Sequence, residues 1–498
     1  MGRRQQTVFE RNIPARFVVD HALQGSRHAV FWLDDAAERT GLPALPAPAL
    51  PALPAPIRAD IVVVGGGYTG LWSALLAKQH RPGARVVLVE ARTVGWAASG
   101  RSDGFCEAGL LPDHAVWRGG SGEAETLTRL GQENLAAMET AMDELGLDCQ
   151  WERTGLIDLA IEPYQVDRLQ DLAARNARAG VPHTYLDRAK VRAEVASPVY
   201  EAGLVRPHDA ALVHPALLAA ELTRVAGELG VEVFEQTRVT RLALPDRSPG
   251  GDVVLRTASP TGEADVRADR VILATGAFPS LLRRYARHTV AVRDHTLVTE
   301  PLPAELLRAI GWRGRQGLSD VANQPHYSRL TADDRLVFGA HDVVRRRRGA
   351  SGDRRSAPEP FRRLTEHLLT TFPQLEGIRL THRWSGAVDT STRSGLFFGQ
   401  AADGRVQHAA GLARRGISAA HFAAQVMLDR LDVVDGAPGT ERTALPLVQQ
   451  EPPPFPSGPA APASVGAVRW SLDQADHQAG RRNLLLRSLD AFGLGLDT

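Results

Sequence analysis

The sequence predicts an α/β fold built on a doubly wound parallel sheet, and three observations between Asp60 and Leu110 predict it. Ile61–Val64 is an apolar run of β-branched residues, which suits a strand buried on both faces. Gly65, Gly67 and Gly70 follow in GxGxxG spacing and open a predicted helix over Leu71–Gln79. A second apolar run, Val86–Val89, ends at Glu90. Strand, glycine turn, helix, strand and terminal acid in this order form a dinucleotide fingerprint. The glycines permit a tight turn and close approach of backbone to a pyrophosphate. The helix N-terminus offers free N–H groups and partial positive charge to the phosphates. Glu90 is placed to accept hydrogen bonds from a ribose. A GxGxxG alone would read as a simple strand–helix turn, and the flanking elements are what raise it above that. NAD and FAD share this chemistry, so the motif leaves the choice of dinucleotide open.

At 498 residues the chain exceeds one hydrophobic core, and roughly two or three domains are expected. A net charge of +1 gives no reason to expect nucleic acid as partner. Two cysteines, Cys106 and Cys149, are too few for a disulfide framework or a metal-ligand cluster. The first residues lack an apolar leader and no run reaches about 18 apolar residues, so no membrane segment is expected and a cytoplasmic location is the default. Within 1–57, an N-terminal extension, His28–Asp35 is expected to pack on the main body. Pro43, Pro46, Pro48, Pro51, Pro54 and Pro56 read as a semi-rigid polyproline spacer. After the fingerprint, a helix over Glu123–Leu147, a strand over Gly155–Ile161 and a helix over Gln165–Ala179 begin a second domain. A helix at Ala216–Leu229, strands at Val231–Phe234 and Thr237–Leu242, and a buried strand in Asp269–Gly276 follow. Val290–Leu302 reads as a sheet strand, and Gly311–Asp342 holds a hairpin turning at Ala332-Asp333-Asp334. The run Arg345–Arg348 reads as a solvated loop. Thr381–Thr390 and Gly395–Gly399 are expected to return to the first domain, and a glycine turn within Ala409–Ala424 opens a helix. The expected division is 58–118, 203–289 and 381–434 for the dinucleotide domain and 119–202 and 290–380 for the substrate domain. Residues 435–498 then form a Pro-rich strap and one closing helix, Ser471–Phe492.

The run after Glu90, Ala91-Arg92 and then Val94-Gly95-Trp96-Ala97-Ala98-Ser99-Gly100-Arg101, resembles the FAD-dependent amine and amino-acid oxidoreductases of the D-amino-acid oxidase type. Within them it resembles the γ-glutamylputrescine oxidase-like proteins. The resemblance extends from about Val30 to the C-terminus and is concentrated at 60–110, 269–276, 311–342 and 381–424. It implies FAD as cofactor, held by a discontinuous glutathione-reductase-like Rossmann domain, with an antiparallel-sheet substrate domain (an α+β cap) covering the flavin ring. It assigns Gly65, Gly67, Tyr68, Thr69 and Gly70 to the phosphate turn, and Glu90, Ala91 and Arg92 to the end of the second strand. Ala98, Ser99, Gly100, Arg101 and Ser102 belong to the loop that passes the pyrophosphate and ring. The backbone of Val239 is implied to meet the adenine, and Thr275 and Gly276 the diphosphate. Gly386, Gly411, Gly416 and Ile417 complete the set near the flavin.

Departures from that family bear on the chemistry. Its loop usually reads Ser-Gly-Arg-Asn-Gly-Gly, whereas this chain has Ser99-Gly100-Arg101-Ser102-Asp103-Gly104. In the closing turn Leu412 stands for a tyrosine and Arg414 for a glycine, and on the hairpin Ser328 and His341 stand where tyrosines are commoner. A carboxylate at Asp103 would oppose flavin reduction if it points inward. His341, His326, Tyr327 and Arg414 are the candidate catalytic residues, His341, His326 and Asp103 are the candidates for a general base, and Arg329 is a further substrate contact. Cys106 reads as a buried small thiol, so the flavin is expected to be non-covalently held. Neither lysine, Lys78 or Lys190, has a context that points to the ring. The resemblance implies oxidation of a C–N bond in a small amine or amino acid to an imine, by hydride transfer to flavin N5, with O₂ or another electron acceptor closing the cycle. Two other readings stay open: a flavoenzyme of specialised metabolism acting on an unusual nitrogen compound, and an FAD-binding protein without turnover.

Overall fold

The computed structural model describes residues 4–41, 50–110, 121–245, 251–342, 358–458 and 460–494. The strand Ile57–Val64 occupies the middle of an eight-stranded sheet. It pairs in parallel with Gly262–Leu273 on one side and Val86–Val89 on the other. Val406–Ala410 and Glu232–Phe234 extend the parallel order outward, and Phe397–Ala401 closes one edge antiparallel. A short antiparallel ribbon, Arg238–Ala243 with Val253–Ser259, hangs from Gly262–Leu273. Ile61, Val62 and Val63 are 1% exposed or less, as a strand covered on both faces requires. The helices Tyr68–His80, Pro215–Glu228 and Gly416–Val434 pack together on one face.

A second eight-stranded sheet runs Leu380–Ser391, Thr289–Thr299, Leu336–Asp342, His326–Leu330, Gly317–Asp320, Leu156–Ala160, Ala202–Arg206, Thr184–Leu186. It is antiparallel except where Gly317–Asp320 meets Leu156–Ala160 in parallel, because there two distant chain segments meet without a hairpin between them. The expected hairpin is present, with Tyr327 opposite Gly339. Helix Pro358–Thr371 covers this sheet together with the N-terminal helices Val8–Arg11 and Arg16–Leu23.

Four expectations change. Leu380–Ser391, read as a return to the first domain, pairs along its length with Thr289–Thr299 in the second sheet. Ala202–Arg206 likewise belongs to the second sheet, so its pairing overrides the boundary drawn at 203. The described part of the proline spacer is anchored rather than free: Leu53 is 1% exposed, its N–H donates to Thr237 Oγ1, and the Pro51 carbonyl accepts the Glu235 N–H. Pro43, Pro46 and Pro48 lie outside the described residues, as does Arg345–Arg348. The single closing helix is two, Ala460–Asp476 and Leu484–Ala491. Ala479 and Gly480 at positive φ end the first, and the Asn483 side chain caps the second. Among the described residues no helix is long and apolar enough to cross a membrane.

Candidate active site

A cavity of about 1120 Å³ is lined from both sheets, and the GxGxxG turn forms one of its ends. Gly65 stands at φ +112, where a Cβ would lie 2.4 Å from the Ala274 carbonyl oxygen, so the turn from strand to helix admits only glycine. Gly67, the N-cap of the helix Tyr68–His80, supplies no side-chain cap of its own, and Ser99 Oγ accepts the Tyr68 N–H at 3.0 Å, which leaves the rest of that N-terminus to a ligand. Thr275 Oγ1, also on the cavity wall, is buried with no hydrogen-bond partner among the described residues. A glycine cradle, a helix N-terminus and an orphaned hydroxyl suit a dinucleotide diphosphate.

Glu90 lines the cavity with its oxygens already engaged. Oε2 accepts the Gly66 N–H at 2.7 Å, while Oε1 accepts the Arg92 N–H at 2.8 Å and Trp96 Nε1–H at 3.0 Å. Burial raises its pKa. The carboxylate therefore builds the loop as well as facing the ribose position, and a remaining lone pair is its capacity for a ligand. Arg92 stacks over the Trp96 ring, 4.4 Å from its centroid.

Most of the expected cofactor residues meet on this wall. Tyr68, Thr69, Ala91, Ala98, Ser99, Ser102, Val239, Gly276, Gly416 and Ile417 line it beside Gly65, Gly67, Glu90, Arg92 and Thr275. Gly70, Gly100, Arg101, Gly386 and Gly411 stand behind it. Gly70 packs the helix on Gly65, and Gly100 N–H donates to the Gly95 carbonyl. Arg101 Nε–H donates to the Trp96 carbonyl, and its own carbonyl accepts Trp384 Nε1–H. Gly386 sits in the strand opposite Asp294, and Gly411 N–H donates to Asp389, which fastens the closing turn to the second sheet.

The other end of the cavity is acidic and closed by that turn. Asp103, Asp294 and Arg414 line it. Asp103 is 7% exposed and points inward, its Oδ1 accepting the Phe105 N–H at 3.0 Å. Burial pushes its carboxyl up to about 6. Asp294 accepts the Tyr327 hydroxyl at 2.7 Å, and burial pushes its pKa well above the usual carboxylate range. Tyr327 reaches it, and Thr296 Oγ1 at 2.9 Å, by lying across Gly339. Arg414 donates to Ser319 Oγ at 2.9 Å and also borders a smaller cavity of about 70 Å³ beside Asp158, Arg168 and Asp320. Beneath it Arg415 pairs with Glu107 at 3.4 Å, while Arg206 binds Asp158 at 2.8 Å and Asp209 at 3.1 Å.

The hairpin candidates separate. His326 and Tyr327 are consecutive in a strand, so their side chains leave opposite faces, and only Tyr327 turns toward the cavity side. His326 instead binds Asp320 and His367, each at 2.8 Å. Arg329 is buried under the loop, donating to the carbonyls of Gly104 and Val213. His341 is in register with Asp294, and its side chain lies outside the described residues. Cys106 packs on Met138 with its thiol raised by burial, off the cavity wall. Lys78 bonds the Ala84 carbonyl at the far end of its helix. Sequence reading missed Asp294 and Ser319. The signal for Asp294 was a carboxylate two residues from Thr296 in one strand, which puts both on one face.

Comparison with known proteins agrees with this geometry. The chain is 29% identical over 381 residues to the gamma-glutamylputrescine oxidoreductase of Escherichia coli (strain K12), covering 75% of this chain and 84% of that one. It is 26% identical over 382 residues to a probable oxidoreductase, OrdL, of Haemophilus influenzae, covering 75% and 83%. Among solved structures, glycine oxidase from Geobacillus kaustophilus superposes with a TM-score of 0.63 at 22% identity, over 76% of this chain and 95% of that one, which speaks to the fold. The model of the FAD dependent oxidoreductase (DAO) family matches residues 60–430, and the chain, with its glycine cradle and two-sheet cavity, belongs to that family of FAD-dependent enzymes.

Proposed function

We propose that this enzyme oxidises a C–N bond of a small amine or amino acid to an imine. One observation carries the reading: a single cavity joins the phosphate-binding turn to a buried polar end where Asp103, Asp294 and Arg414 converge. When bound, FAD supplies the two-electron acceptor. Gly65, Gly67 and the helix N-terminus at Thr69 would hold the pyrophosphate, Glu90 the ribose, Val239 the adenine side, and the turn from Leu412 to Ile417 the flavin end. The second sheet excludes water and orients the substrate, with Tyr327 and Thr296 holding Asp294 in place. Asp103, Leu412 and Arg414 all depart from the family's pattern, and Leu412 and Arg414 lie with Asp103 on the cavity wall. That clustering favours a second reading, an unusual nitrogen compound as substrate.

The visible spectrum of the purified protein and anaerobic mixing with a broad panel of amines and amino acids test the proposal. Yellow protein bleached by members of the panel is the expected result. Yellow protein bleached by none of them would sink the amine reading and leave the unusual substrate or an FAD-binding protein without turnover.

A further inference from the structure

We propose that Asp103 is the proton acceptor for the substrate's ammonium group, and that Asp294, on the wall of the same cavity, makes this end selective for a singly charged amine. This rests on the amine-oxidising reading above. Asp103 is buried, lines the cavity, and uses one oxygen on the Phe105 N–H, while Oδ2 has no hydrogen-bond partner among the described residues. Asp294, on the second sheet, lines the same cavity with one oxygen on the Tyr327 hydroxyl. Two carboxylates that share a buried space cannot both ionise easily, so the pair settles at one negative charge.

Which of the two carries the charge follows from the surroundings. Arg414 from the closing turn and Arg329 from the hairpin both favour the ionised form of Asp103, while Glu107 opposes it. Around Asp294 stand Tyr327, Asp103 and Arg414, with His341 in register on the neighbouring strand. Tyr68, buried against the loop, stays neutral. Burial pushes Asp103 up to about 6, and Asp294, raised by burial and further by the charge of Asp103, is the later of the two to ionise, so Asp103 is the carboxylate of the pair and Asp294 the acid. The step balances without a co-reactant. An N–H bond of R–CH₂–NH₃⁺ breaks, its electron pair stays on nitrogen, and an O–H bond forms on Asp103, leaving the neutral amine that C–N oxidation requires.

The test uses the full-length holoenzyme, Asp103→Asn and Asp294→Asn, with an amine that bleaches the wild type. Flavin reduction is followed anaerobically against pH. Wild-type reduction efficiency should rise with pH through a value near 6. In Asp103→Asn that limb should vanish and the rate at pH 7 fall about 100-fold, recovering at high pH where solution supplies the free amine. Tetramethylammonium, which has no proton to give, should perturb the wild-type flavin spectrum and bind Asp103→Asn at least about tenfold more weakly. A yellow, reducible Asp103→Asn with an unchanged pH profile would overturn the inference while leaving the amine reading intact. If Asp103→Asn is colourless, Asp294→Asn decides. Asparagine there replaces one neutral group with another, so the limb should stay near 6, and its loss would make Asp294 the proton acceptor and overturn the inference. A wild type bleached by no amine removes the reading on which the inference rests.

Discussion

Gly70 and Gly67 share one motif but answer to different constraints. A Cβ on Gly70 would lie 1.8 Å from the Gly65 carbonyl oxygen, which is backbone and cannot step aside. Gly70→Ala should therefore cost about 3 kcal/mol or more and lower the thermal midpoint of the apoprotein. A Cβ on Gly67 meets only the Ser99 hydroxyl, at 3.0 Å, which can rotate away. Gly67→Val should fold with a near-normal midpoint yet purify without yellow colour, because its side chain fills the phosphate cradle. Full flavin content in Gly67→Val would count against the cradle. Arg414 poses a separate question at this scale. It replaces a glycine and lines the acidic end of the cavity, so its positive charge is available to electrons leaving for O₂. Stopped-flow reoxidation of reduced enzyme should be at least about tenfold slower in Arg414→Gly. An unchanged rate removes Arg414 from the account, and a wild-type rate no faster than free reduced flavin makes the enzyme a dehydrogenase.

Three adjacent strands, Thr289–Thr299, Leu336–Asp342 and His326–Leu330, act as one device. Gly339 sits between Thr296 and Tyr327 in the same cross-strand row. Because it has no side chain, the Tyr327 ring crosses the intervening strand to reach Asp294 and Thr296. A Cβ there would lie 2.0 Å from the Tyr327 ring. Gly339→Val should displace Tyr327 and cost about 3 kcal/mol in urea denaturation, with flavin still bound because Gly339 is not on the cavity wall. Stability equal to wild type would mean that the ring has another place to go. Alternation along the same strand explains why His326 serves a buried pair with Asp320 while its neighbour serves the site.

At the scale of the whole molecule, buried histidines set the response to acid. Burial depresses the pKa values of His295, His408 and His421 to about 4, and it also lowers that of His214. The unfolded chain protonates these rings near 6.5, and the folded chain only well below that. Between the two values the unfolded state binds more protons, so stability falls as pH drops, by up to about 1.4 kcal/mol per pH unit for each ring. Asp103 and Asp294 act oppositely, since their folded pKa values are raised and the folded state holds protons that the unfolded state has released. Among the described residues burial also lowers His288, His367 and His382 and raises Glu90, Glu366, Asp389 and Asp476, and His477 is raised. The unfolded chain takes up most of its histidine protons between pH 7 and 5.5, so the lowered rings dominate there and the apoprotein's thermal midpoint should fall over that interval. A rising midpoint would contradict this balance.

Local chemistry determined much of the FAD half. Ile61–Val64, the glycine turn, its helix and Glu90 are contiguous, and each is dictated by β-branching, missing side chains or periodicity within a few residues. The hairpin at Ala332-Asp333-Asp334 was legible for the same reason. Sheet membership was not. Leu380–Ser391 carries the same strand signal in either domain, and only eleven paired positions with Thr289–Thr299 place it in the second sheet. The acidic end of the cavity was decided the same way. Asp103 and Asp294 lie far apart in sequence, and neither strand alternation nor the loop motif says which face will be covered by the other sheet. Periodicity assigns a residue to a face; which faces meet, and so which carboxyls line one cavity, depends on long-range packing that no local pattern encodes.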